Sequence, residues 1–156
     1  MHCDQHVVKM PLEIAQMLCT ALHEVEPGRW EELNLLGLAY KPTHFNHPCT
    51  LWVRACLNNY LWTAALGWEL CMEYRYRFGD AKQREHKSER VILSIKERLP
   101  VMPRQRCITP FPLVMPEEYI VGSDPVASYR NYYLNAKLRF ARWTGRDVPE
   151  WVRLGT

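Results

Sequence analysis

Along this chain, segments whose apolar residues recur every three or four positions alternate with polar stretches broken by proline. That recurrence is the period of an amphipathic helix. From Asp4 to about Val25, the residues Met10, Ile14, Met17, Leu18, Ala21 and Leu22 keep it and predict a first helix. Pro11 interrupts the pattern, so the helix either opens there or kinks, leaving His2 to Met10 as a separate turn. Glu26-Pro27-Gly28 predicts the end. Residues 29–47 read as loop, with a short apolar piece at Leu33 to Leu38 and a histidine-rich turn between Pro42 and Pro48.

The longest periodic segment runs from Pro48 to Phe78, with Leu57, Leu61, Ala64, Trp68 and Cys71 as its stripe and Gly79-Asp80 closing it. It predicts a central helix preceded by a shorter one around Cys49 to Cys56. Residues 82–98 read as a charged helix with Val91, Leu93 and Ile95 inward, and Pro100 to Pro116 as an irregular excursion. Ser123-Asp124-Pro125 is a cap followed by proline, opening a last helix with Val126, Tyr129, Tyr133, Ala136, Phe140 and Trp143 on one face. No segment alternates as a strand and nothing repeats. The fold class expected is all-α: a compact single-domain helical bundle with long irregular loops, spanning residues 1–156.

Composition agrees with one core. The 156 residues are 47% hydrophobic and 24% charged, enough apolar material for a domain of that size to bury roughly two-thirds of its unfolded surface. The six cysteines are scattered, which implies no disulfide framework. Neither a signal-peptide pattern nor an apolar run of about 20 residues is present, so a cytoplasmic location away from membrane is expected, with a monomer as the default.

The net charge is only +3, but Arg75, Arg77, Lys82, Arg84, Lys87 and Arg90 cluster mid-chain and Arg130, Lys137, Arg139, Arg142 and Arg146 cluster late. A local basic face suits a polyanion, although solvated helices are routinely rich in such residues. In Tyr129-Arg130-Asn131-Tyr132-Tyr133 through Lys137, Tyr129, Tyr133 and Phe140 share the apolar stripe and have packing as their default role. Arg130, Tyr132 and Lys137 are then the better candidates for contact with bases and phosphates.

Candidate chemistry begins with Asp4-Gln5-His6, Lys9 and Glu13. Lys9 and Glu13, four apart, share a face if the helix continues through Pro11. An amine can form an imine with an electrophilic sugar carbon, and a carboxylate beside it can move protons or stabilise positive charge; a solvated ion pair is the alternative. His44 and His47, with Cys49 behind, are residue types that zinc accepts, but their spacing matches no metal motif. No metal and no cofactor is implied.

Together these pieces resemble the pyrimidine-dimer DNA glycosylase family, the phage endonuclease V and its bacterial cousins. Asp4-Gln5-His6 followed by Glu13 is similar to that family's first helix. Asn46-His47-Pro48, Asn59-Tyr60-Leu61 and Glu73 to Phe78 are similar to its bacterial loop and long helix. Met115 to Ile120 and Tyr129 to Lys137 resemble the segments leading to and forming its aromatic-basic DNA contact. The resemblance implies a small helical domain without a helix-hairpin-helix element that excises damaged or modified pyrimidines from double-stranded DNA and cuts the abasic strand through an imine. Glu13 takes the place of the catalytic carboxylate, His6 and Lys9 stand beside it, and Asn46, His47, Arg54, Arg75, Arg77, Arg130, Tyr132 and Lys137 are expected to contact DNA.

The chain also departs from that pattern. The family forms its imine on the terminal amine of a short segment ahead of the first helix, whereas this sequence starts almost on the helix. Methionine removal needs a small second residue and His2 is large, so the amine belongs to Met1 or to a start lying upstream. Lys9 is the substitute amine that its spacing from Glu13 suggests. Leu12 and Gln16 stand where arginines flank the glutamate in the phage enzyme, weakening the grip on phosphate. The alternative readings are a catalytically inactive DNA- or protein-binding accessory protein of the same fold and a metal enzyme built on His44 and His47.

Overall fold

The computed structural model describes residues 2–79 and 84–155. Within them the fold is all-α, with seven α-helices: α1 (Asp4–Val25), α2 (Pro27–Leu35), α3 (Pro48–Ala55), α4 (Leu57–Phe78), α5 (Glu89–Glu97), α6 (Pro125–Tyr132) and α7 (Glu150–Arg153). A short 3₁₀ turn, Glu117–Tyr119, precedes α6, and a π-helical turn, Tyr133–Lys137, and a 3₁₀ turn, Leu138–Phe140, follow it. No described helix is long and apolar enough to cross a membrane.

Helix α1 is the axis, packing against α2, α3, α4 and α5. It passes through Pro11 unbroken, neither opening there nor leaving a separate turn. Pro11 lacks an N–H for the Val7 carbonyl, and its ring is buried in the interior. Val7, Ile14, Leu18 and Ala21 meet Leu57, Tyr60, Ala64 and Leu70 of α4 and Ile92 and Ile95 of α5. The three helices come close at Gly67, where an added Cβ would stand 2.7 Å from Ile14 Cγ2 and 3.0 Å from Ile92 Cδ1. Only hydrogen fits there.

Three expectations are corrected. The stretch after Glu26 is not all loop: Pro27 is tolerated at a first helical position, so the stop for α1 is also the start of α2. The stripe on α4 is wider than expected: Leu57, Ala64 and Cys71 are buried, but Leu61 is exposed, and Asn59, Tyr60, Thr63 and Gly67 also face inward. Asn59 is inside because its amide donates to the Trp52 carbonyl and the Thr109 hydroxyl, each at 2.8 Å, and accepts from Thr109 N at 3.0 Å. It thereby pins the proline-punctuated excursion. The charged helix begins at Glu89, not 82; residues 80–83, with Asp80 and Lys82, lie outside the described residues.

The last helix opens as expected, Asp124 Oδ1 accepting from Val126 N at 2.8 Å and Ala127 N at 3.0 Å. Its α-helical period then lapses at Tyr133 into the π turn and the 3₁₀ turn. The chain beyond, residues 141–146, runs back over the start of α1. There Asp4 N donates to the Arg142 carbonyl at 2.8 Å. The Asp4 carboxylate accepts from Thr144 N at 3.0 Å, Thr144 Oγ1 at 2.8 Å and Arg77 Nη1 at 2.9 Å. Glu73 accepts from Arg77 Nε at 2.8 Å and Arg146 Nη2 at 2.7 Å. Two carboxylates and two guanidinium groups thus clasp this strap to the N-terminus of α1 and the C-terminal half of α4.

Candidate functional site

His6, Lys9 and Glu13 lie three and four residues apart on one continuous helix, so they share a face of α1. Lys9 Nζ and Glu13 Oε1 are 3.2 Å apart, the lysine side chain 73% and the glutamate 41% exposed. One turn earlier, His6 is half-buried under the C-terminal segment that the clasp holds in place. Tyr133 Oη and His6 Nδ1 are 2.6 Å apart, the rings meeting edge to face at 5.2 Å. Phe140 meets the same imidazole at 6.2 Å.

The electrostatics join the two segments. Burial lowers the His6 pKa, the positive charges of Lys137 and Lys9 lower it too, and Glu13 opposes them. Burial pushes the Cys49 thiol up and the Glu13 charge adds to that. Glu13 therefore acts on His6 of its own helix and on Cys49 in the first turn of α3. Cys49 in turn bears on Tyr129 of α6, whose phenol is raised chiefly by burial.

A ladder of rings and cations leads away from this face. Lys137 Nζ lies 4.7 Å from the Tyr132 ring centre and 5.9 Å from that of Phe140. Tyr132 packs on Tyr119 at 4.9 Å, Tyr133 on Trp151 at 5.7 Å, and Arg130 over Trp151 at 5.7 Å. The default of buried packing for Tyr129, Tyr133 and Phe140 is corrected: all three are partly exposed, and Tyr133 is a polar partner of His6. π turns recur at functional sites, and this one carries both Tyr133 and Lys137.

The remaining candidates are spread around the fold. His47 caps α3, Nδ1 accepting from Cys49 N at 3.2 Å, and exposed Asn46 precedes it. Arg54 pairs with Glu24 at 3.1 Å on the far part of α3. Arg75 is held by Glu89 and by Glu85, the latter at 2.8 Å. Arg77 has no exposed side-chain surface, because the clasp consumes it, and the expected phosphate contact there is corrected to a structural one. His44 Nδ1 bonds Thr43 Oγ1 at 3.0 Å, and among the described residues no three His, Cys, Asp or Glu side chains converge as metal ligands. Sequence reasoning missed Tyr133, Phe140 and Tyr119. Their signal, an aromatic next to a run of polar residues, is indistinguishable in a sequence from a packing stripe.

No family model, curated protein or solved structure matches this chain.

Proposed function

We propose that the chain is a DNA N-glycosylase with abasic-site lyase activity, acting on damaged or modified pyrimidines in double-stranded DNA, with Glu13 as its carboxylate. The observation that carries the reading is that the aromatic-basic C-terminal segment meets α1 at His6, on the helix face that also bears Lys9 and Glu13. A reactive carboxylate, an amine and a stacking, phosphate-seeking segment are what such a reaction needs side by side.

At an abasic sugar, the Lys9 amine adds to the C1′ aldehyde. Loss of water then gives the imine, with Glu13 accepting and returning the protons. Removal of a C2′ proton expels the 3′ phosphate and cuts the strand. On an intact nucleotide the same carboxylate stabilises the positive charge that develops on the sugar as the base departs. Lys137, Arg130 and Tyr132 supply backbone and base contacts from the C-terminal segment, with Asn46 and His47 from the loop before α3.

Borohydride trapping on duplex DNA containing an abasic site tests this. The reading expects a covalent adduct that is lost in Lys9→Ala and strongly reduced in Glu13→Gln. An adduct untouched by both substitutions would refute these roles. The exposure of the Lys9–Glu13 pair favours a second reading, an accessory protein that binds DNA without chemistry; salt-sensitive binding to undamaged duplex with no adduct and no base release would select it.

A further inference from the structure

We infer that Tyr133 is a positioning residue that holds His6 as the neutral tautomer protonated on Nε2, presenting that N–H as a hydrogen-bond donor on the helix face that also carries Glu13. Its use in catalysis rests on the reading above; the tautomer itself does not.

Hydrogen-bond donors and acceptors around Tyr133 fix the tautomer. The Cys3 backbone amide can only donate, and it does so to Tyr133 Oη at 3.1 Å. The phenol's own proton then needs an acceptor. His6 Nδ1 stands 2.6 Å away, and the Cys3 thiol is the other group in reach. Sulfur is the weaker acceptor, so the proton goes to the imidazole. Burial holds the Tyr133 hydroxyl protonated well above its usual range, so it remains a donor throughout neutral pH. A bare Nδ1 leaves the ring's proton on Nε2. Among the described residues no group is hydrogen-bonded to Nε2.

The surrounding charges favour the same state. Lys137 of the C-terminal segment and Lys9 of α1 disfavour an imidazolium, while Glu13 favours it. Burial adds to the first side. A neutral donor at this point can bond a sugar or base oxygen without adding a third positive charge, and it does not switch off as a protonated histidine releases its proton.

Long-range proton–nitrogen correlation spectra of the whole chain read the tautomer directly. The wild type should show His6 with Nδ1 unprotonated and Nε2 protonated, titrating below the ordinary histidine range. In Tyr133→Phe the ring keeps its shape but loses the donor, so Nδ1 should take up the proton in part of the population and the titration should move upward. A wild-type spectrum with Nδ1 protonated, or a folded Tyr133→Phe that changes neither tautomer nor titration, would overturn the inference. If Tyr133→Phe fails to fold, the wild-type spectrum decides alone. Failure of imine trapping with this spectrum intact would count against the proposed activity and not against the tautomer.

Discussion

At the scale of single residues, similar side chains have opposite roles. Lys137 is a cation on aromatic rings at the rim of the site, whereas Arg77 is sealed between Asp4 and Glu73. Lys137→Ala should weaken DNA binding across all sequences and reduce the salt dependence by about one counterion, with the unfolding midpoint unchanged; filter binding across a salt series checks it. Arg77→Ala should instead destabilise the fold by about 3 kcal/mol, because it empties the buried site of the guanidinium and leaves two half-buried carboxylates short of a partner, measurable by urea denaturation. Equal effects of the two on binding and stability would contradict this division.

At the scale of elements, the packing of α1 on α4 and α5 hinges on one missing side chain. Gly67→Ala forces a methyl against Ile14 and Ile92 and should cost about 1–3 kcal/mol, read as a lowered thermal midpoint. Asn59→Ala should free the excursion that Thr109 anchors and speed amide exchange there. The helices that pack against one another were legible from apolar spacing: α1, α3 and α4 fall close to where their stripes predict. What escaped was decided by partners distant in sequence. Asn59 is inside because Thr109 satisfies it, Pro11 leaves the helix intact because the interior receives its ring, and Pro27 both ends one helix and begins the next. The stripe through Tyr129, Tyr133 and Phe140 was visible, but the lapse of its period at Tyr133 was not. A local pattern cannot announce that a phenol will meet a histidine 127 positions away. Of the candidate site, the shared face of Lys9 and Glu13 was readable from spacing, His6 came with the resemblance, and the C-terminal half was visible only as a basic, aromatic stretch.

At the scale of the whole molecule, one fastening holds the C-terminal segment to α1 and α4, since the Asp4–Arg77–Glu73–Arg146 clasp joins the strap after it to both helices. Burial works against the Asp4 carboxylate, but hydrogen bonds from Thr144 and Arg77 overcome it and lower its pKa. Arg146 and then Arg77 lower that of Glu73, against the opposing effect of burial. His2 is pushed down to about 4, chiefly by burial, and His6 is lowered as well. For all four groups the unfolded chain binds protons more readily than the folded one. Their contribution is present above the unfolded values and lost as pH falls through the folded ones. Thermal stability should therefore decline from about pH 6.5, where the histidines begin to protonate in the unfolded chain, and fall further below about pH 4.5 as the carboxylates follow. Scanning calorimetry across that range checks it; a midpoint that rises on acidification would contradict the assignment.

Glu13, on the face of α1 that meets the C-terminal segment at His6, is the residue on which the proposed chemistry on DNA depends. The most direct measurement is base release by the whole chain from duplex DNA carrying a pyrimidine dimer or another modified pyrimidine, beside Glu13→Gln. That variant should keep its fold, since the exposed Lys9–Glu13 pair contributes at most about 1 kcal/mol. Release by the wild type with a loss of about a hundredfold or more in the variant is the expected result. Release that survives unchanged in a folded Glu13→Gln would contradict the account.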